Sequence, residues 1–231
     1  MSEDLLRRAA VGDVATVISW EINETALVLG RSAGPSMVDA DACRRAGIPV
    51  VRRHSGGGPL LWDAGLVSVD VILPKDHPLA LTDVVEAYRW IGEAGAAALR
   101  DVGVPAVRLD PAVARAHDSM GEADVGRLCF GGLSPHEIVV GAQKIGGLCQ
   151  ARRTAGSLLQ LGVLVDVDSR RLAGLVHRDG RSIDEFASAF EDRVTTVADH
   201  APGADVARVR AALEARISEA LAAGSMEFTP E

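Results

Sequence analysis

The chain's 24 basic residues include only two lysines, Lys75 and Lys144; the other 22 are arginines. Arginine replaces lysine on most solvated surfaces, so a lysine kept against that bias points to a need for a compact, mobile ammonium. Lys75 lies in the polar turn PKDHP and needs no such explanation, whereas Lys144 lies in the apolar, glycine-rich stretch 141–150, GAQKIGGLCQ. An ammonium there could polarise a carbonyl or neutralise an acyl phosphate. The plainer alternative is a strand-edge lysine that blocks sheet-to-sheet pairing. Gly146 and Gly147 leave the adjoining backbone bare, which suits a ligand passing over a strand. Cys129, in LCFGG, precedes Lys144 by 15 residues. A thiol attacks as its thiolate and needs a nearby cation or base; Arg127, His136 and Lys144 are the candidates close in sequence. Otherwise Cys129 is an apolar side chain packed between Leu128 and Phe130. Cys43 and Cys149 read as structural.

The second chemical stretch is Arg52-Arg53-His54-Ser55-Gly56-Gly57-Gly58. Three consecutive glycines let a ligand lie directly on the peptide plane, and two arginines could hold a phosphate or carboxylate by forked hydrogen bonds. The loop has neither the GxGxxG pattern of a dinucleotide site nor the GxxxxGK[ST] pattern of a P-loop. A flexible hairpin with solvated arginines is the competing interpretation.

These residues must be held by a sheet. Apolar, β-branched runs predict strands at 14–19, 26–30 and 48–53, then two more within 59–74, broken near Asp63–Gly65. In the second of these, Val67, Val69, Val71 and Leu73 share one face. Strands are also expected at 127–130, 136–140, 144–153 and 157–168, with a tight turn at 141–143. A short helix is expected at 38–46, and a longer one at 82–100 with Thr82 as its N-cap. Residues 108–125 read as a loop region. The chain turns helical after about residue 169, with Val206, Val209, Leu213, Ile217 and Leu221 striping the last helix. Strands in the middle bracketed by helices, without repeats or a linker, predict a single α+β domain over residues 1–231.

Composition narrows the function. The chain has 231 residues, 48% hydrophobic and 24% charged, with a net charge of -8. This excludes a disordered chain and a basic face built for nucleic acid. No apolar run approaches the roughly 20 residues of a bilayer span, and the first ten residues lack a signal-peptide core. Three cysteines are too few for a disulfide framework and fit a reducing compartment. A soluble cytoplasmic protein is the expectation, with no nucleic-acid or membrane partner.

RRHSGGGPLLWDAGL resembles the RRxSGGG signature of the lipoate–protein ligase A family, and GAQKIGGLCQARRTAGSLLQLGVLVD is similar to that family's lysine-bearing stretch. With the LVLG strand before them, the resemblance spans about residues 26–168. It implies an α+β catalytic domain shared with biotin–protein ligases, a mixed or antiparallel sheet flanked by helices. It implies transfer of a lipoyl or octanoyl group onto a lysine of a lipoyl domain, in 2-oxoacid dehydrogenase complexes or the glycine-cleavage H protein. Carried over by position, Arg52, Arg53, Ser55, Gly56, Gly57, Gly58, Pro59 and Leu60 would line the acyl and nucleotide side. Lys144 would contact the reacting carbonyl, with Gly146, Gly147 and Gln150 under the acyl chain. Family ligases activate lipoate with ATP and Mg²⁺. One acyltransferase branch instead takes octanoyl from acyl carrier protein onto a cysteine that is followed by Phe, as in Cys129-Phe130 here, and Gln150 is typical of it. The ligases' accessory C-terminal domain is not expected in a chain that ends near residue 231. No tightly bound cofactor or metal is implied. These features favour a Cys129 thioester over an adenylate.

Three positions depart from the family pattern: Trp62 and Leu161 stand where histidines are usual, and Leu66 where asparagine is frequent. Those departures motivate a reading of another class, a non-catalytic acyl-binding module. Lys144→Ala is expected to abolish transfer without unfolding the chain, because a lysine at the start of a strand packs little. Arg152 and Arg153 are candidates for a local basic patch that docks an acidic partner.

Overall fold

The computed structural model describes residues 14–31, 33–118 and 125–226. Nine strands form two sheets among these residues. The larger sheet has the order β1-β5-β9-β8-β7-β6, with β1 Thr16–Trp20, β5 Leu66–Pro74, β6 Val107–Arg108, β7 Ile138–Val140, β8 Gln143–Arg153 and β9 Gly156–Leu164. Every neighbouring pair in it is antiparallel. The smaller sheet places β2 (Ala26–Leu29) between β3 (Val50–Arg52), which is parallel to it, and β4 (Leu60–Trp62), which is antiparallel. The architecture is therefore α+β with a mixed strand arrangement, as expected.

Side-chain alternation divides the large sheet into two different faces. Val67, Val69, Val71 and Leu73 of β5 and Leu159, Leu161 and Val163 of β9 form one buried cluster. That cluster includes Ile91 and Leu99 of α2 (Arg89–Asp101) and Val209, Leu213 and Ile217 of α7 (Val206–Met226). The opposite face carries Ser68 and Asp70 on β5, Gly162 and Gln160 on β9, and Gly147 and Cys149 on β8. In register these form the rows Ser68–Gly162–Gly147 and Asp70–Gln160–Cys149. A polar row crossing a central strand is costly to bury unless a ligand or a polar segment covers it. The small sheet, with α1 (Ala40–Arg45), α4 (Ser169–Leu175) and α5 (Ile183–Glu191), builds a second cluster that takes in Leu128 and Phe130.

Four expected elements differ. The helix begins at Arg89, not at residue 82; Asp83 instead accepts the Val85 and Glu86 N–H groups, and a 3-10 turn occupies Glu86–Tyr88. Residues 108–125 are not all loop: α3 spans Pro111–Asp118, and residues 119–124 lie outside the described residues. No strand runs through 127–130, where a 3-10 turn at Val125–Arg127 leads into a turn carrying Cys129. The strand expected from His136 begins at Ile138, because His136 adopts φ 69°. Among the described residues, α6 (Val197–His200) completes the helices, and none is long and apolar enough to cross a membrane.

Candidate functional site

The strand β3 ends at Arg52, and consecutive residues of an extended chain point to opposite sides. The two arginines therefore part company. Arg52 Nη1 donates to the carbonyls of Gly30, Arg31 and Ala33 at 2.8, 3.1 and 2.9 Å, bracing that loop. Arg53 turns the other way. Its Nη2 donates to Gly56 O at 2.8 Å and to Cys129 Sγ at 3.3 Å, joining the glycine loop to the cysteine turn. Burial works against the Arg53 charge, yet the Cys149 and Cys129 sulfurs hold it above the ordinary arginine range. Its Nε is buried with no hydrogen-bond partner among the described residues.

Two glycines make that approach possible. Gly57 adopts φ +104°, and a Cβ on it would lie 2.4 Å from Arg53 Nη2 and 3.8 Å from Cys129 Sγ. A Cβ on Gly58 would lie 1.6 Å from the Arg127 carbonyl oxygen. Pro59 O accepts from the Cys129 N–H at 3.0 Å, and Leu60 is buried in β4. Gly58 and Pro59 thus seat the cysteine turn against the loop, Arg53 fills the space at Gly57, and among these three glycines a Cβ on Gly56 would meet nothing within 4 Å.

Lys144 corrects the expectation that it packs little. It is 2% exposed, and its ammonium donates to Cys129 O at 2.8 Å, Gly132 O at 3.0 Å and Glu137 Oε1 at 2.6 Å. The Phe130 ring centroid lies 5.4 Å from Nζ. Glu137, 3% exposed, also accepts from Ser134 N at 2.7 Å and Leu148 N at 3.3 Å. Burial pushes its carboxyl up from the usual range, against the pull of Lys144 and these two N–H groups. The lysine reaches the backbone of the thiol turn, while the cation on the sulfur itself is Arg53. His136 serves elsewhere: its Nδ1 is 2.7 Å from Arg108 Nη1, and burial and Arg108 hold its imidazole below the ordinary range.

The bare strand is covered by this chain's own side chains. A Cβ on Gly147 would meet Phe130 at 3.5 Å and Lys144 Cε at 3.3 Å, and one on Gly146 would meet Ile138 at 2.9 Å. Gln150 lies away from the thiol, donating to Val84 O at 2.7 Å and accepting from Arg152 Nε at 2.7 Å. Arg152 also donates to Thr82 O and Asp83 O, and Arg153 to Arg152 O. Arg152 is thus a brace for the segment before α2 rather than a docking patch.

Ser55, 1% exposed, ties the loop to the polar row beneath it. Its Oγ is 2.5 Å from Gln160 Oε1, Gln160 Nε2 donates to Asp70 Oδ1 at 2.8 Å, and Cys149 Sγ is 3.4 Å from Ser55 Oγ. Burial pushes the Cys149 thiol up to about 11 and the Tyr88 phenol up to about 12. Both are raised acids, so the unfolded chain, with values near 9.0 and 10.0, loses its protons first. Stability is therefore expected to be intact below pH 9 and to fall as pH rises toward 12. Thermal denaturation across that range checks this, and Cys149→Ala with Tyr88→Phe should flatten the fall.

The sequence of residues 1–218 matches the family described as the lipoyl protein ligase A/B catalytic domain. The chain belongs to this family. Octanoyltransferase LipM of Kyrpidia tusciae is 31% identical over 224 residues, 94% of this chain and 78% of that protein. LipM of Staphylococcus aureus is 28% identical over 205 residues, 86% and 72%, and LipM of an Exiguobacterium species is 31% identical over 163 residues, 70% and 58%. The chain thus spans between 44% and 78% of the lengths of the LipM proteins compared. A lipoate-protein ligase A bound with ATP superposes with TM-score 0.73 at 24% identity, covering 95% of this chain and 78% of that one. The Ta0514 protein of T. acidophilum with bound lipoic acid gives 0.70 at 23%, covering 95% and 80%. These likenesses show that the fold is that of the family.

Within a lipoyl protein ligase fold, all three departures from the family pattern have structural places. Leu161 is fully buried on the helix-facing side, opposite Val69 and Leu148. Leu66 is buried in the second cluster, and Trp62 packs at its edge. Leu161 belongs to the helix-facing cluster whereas Cys129 packs against the other one, so the missing histidine at 161 takes no base from Cys129. Glu137, Gln160 and Asp70 escaped the sequence reading. A signal for Glu137 existed, since it is the single acidic residue between Asp124 and Asp166.

Proposed function

We propose that this chain is an octanoyltransferase that carries the acyl group as a thioester on Cys129. One observation supports it above the rest: the sulfur of Cys129, a half-buried residue on a turn, accepts a hydrogen bond from the Arg53 guanidinium of the glycine loop. The thiol attacks as its thiolate, and the guanidinium is placed to hydrogen-bond that sulfur through the reaction. The donor is octanoyl-acyl carrier protein and the acceptor a lysine of a lipoyl domain or H protein. The Cys129 thiolate attacks the donor thioester carbonyl, its C–S bond forms, and the bond to the carrier's sulfur breaks. The proton that Cys129 gave up returns to the carrier thiolate. The acceptor amine then attacks the Cys129 thioester, an amide forms, and the thiolate is released beside Arg53 while the amine sheds a proton to water. The acyl group arrives already activated, so the exchange consumes no nucleotide.

Incubating the protein with octanoyl-acyl carrier protein should add the mass of one octanoyl group, mapped to the Cys129 peptide, in the absence of ATP. No adduct, together with pyrophosphate release dependent on lipoate and ATP, would establish the adenylate route instead.

A further inference from the structure

We propose that Glu137 is a positioning residue for acyl transfer, fixing the Cys129 turn by orienting the Lys144 ammonium beneath it. This rests on the reading of Cys129 as the nucleophile. An ammonium has three protons, and here one is spent on Glu137 Oε1 at 2.6 Å. With that direction set, the other two fall on Cys129 O at 2.8 Å and Gly132 O at 3.0 Å, the two ends of the turn. Arg193 Nη1 takes Gly131 O between them at 3.0 Å. Three of the turn's four carbonyls are thereby drawn onto cations below it, and the shape that results presents the sulfur to Arg53.

Glu137 is itself held for this task. Each carboxylate oxygen has its own backbone donor, Leu148 N on Oε1 and Ser134 N on Oε2. The residue before it, His136, bends the chain through φ 69°, a left-handed conformation uncommon for a residue with a Cβ. Stability alone does not explain such a pair, because apolar residues of similar volume often replace a buried ion pair without loss. What apolar residues cannot do is aim two charge-assisted hydrogen bonds at the backbone of the thiol turn.

Glu137→Gln keeps the shape and removes the charge. Two rates are measured on the folded variant: iodoacetamide alkylation of Cys129, read by peptide mass, and acylation by octanoyl-acyl carrier protein. Alkylation is expected to slow by about fivefold or more as the sulfur leaves Arg53. Acylation should slow by more than about tenfold in kcat with KM for the donor unchanged, and Glu137→Asp should restore part of both. A merely structural residue would lower the melting temperature and leave both rates of the folded protein at wild-type values; that result overturns the proposal. If the glutamine variant does not fold, Glu137→Met with Lys144→Met removes both charges at once. Slow alkylation in that double variant supports the proposal, and wild-type alkylation overturns it. The alkylation arm is independent of the substrate. Slowed alkylation in a protein whose wild type accepts no octanoyl would sink the acyltransferase reading and leave the positioning role standing.

Discussion

Cys129→Ser is expected to lower octanoyl transfer by roughly three orders of magnitude or more, with the fold unchanged. The size follows from what the substitution removes. A serine hydroxyl stays protonated near neutral pH, and a guanidinium at hydrogen-bond distance cannot change that, whereas a thiol is intrinsically far more acidic and more nucleophilic. Arg53 supplies a charge but no proton acceptor, and the His136 imidazole is engaged with Arg108 and Glu86. Among the hydrogen bonds the described residues make to this side chain, serine would therefore meet a cation and no base. The side chains are nearly the same size and the cysteine is only partly buried, so the melting temperature should barely move. Single-turnover transfer from octanoyl-acyl carrier protein to a lipoyl domain is the measurement. A serine variant within tenfold of wild type would place the nucleophile elsewhere and remove the thioester.

The alkylation pattern should agree. Cys149 is as near to Arg53 electrostatically, but burial holds its thiol at about 11. Two thiols share one cation, both on half-buried residues, and desolvation is what holds the Cys149 thiol high.

Much of this was written in the order of residues. The alternation of Val67, Val69, Val71 and Leu73 fixes which side of β5 meets the helices, and the same period on β9 puts Leu161 in the core and Gln160 over the site. The spacing of Val209, Leu213 and Ile217 likewise marks the buried face of α7. Both chemical stretches meet, through Arg53, Cys129 and Lys144. Period two also separates Arg52 from Arg53, though the pair reads at first as one anion clamp. The rest depended on contacts distant in sequence. RLCF has strand composition, yet Gly58 and Pro59 seat it as a turn, and a β-rich composition carries no trace of that contact. The late start of α2 is set by Gln150 and Arg152, which hold Val84, Thr82 and Asp83 from some 66 to 70 positions away. Lys144 shows the same limit: its type marked it as special, but only the hairpin brings Glu137 to it.

That burial reverses the expected outcome for Lys144 itself. Lys144→Met should cost about 3–5 kcal/mol of stability, because Glu137 would remain in the interior with no counter-charge. At about 2–4 °C per kcal/mol for a chain of this size, the melting temperature should fall by roughly 10 °C. The loss should also depend on pH in a known direction. Burial already pushes the Glu137 carboxyl up, and removing Lys144 removes an opposing pull. A raised carboxyl binds its proton more tightly in the folded state, so the variant gains stability relative to wild type as pH falls toward 5. Adding Glu137→Met should recover most of the lost stability and none of the transfer rate, since a methionine pair fills the space but holds neither Cys129 O nor Gly132 O. Calorimetry and single-turnover assays on the single and double variants separate the two roles. A double variant that regains transfer along with stability would mean that the ammonium contributes to the fold alone.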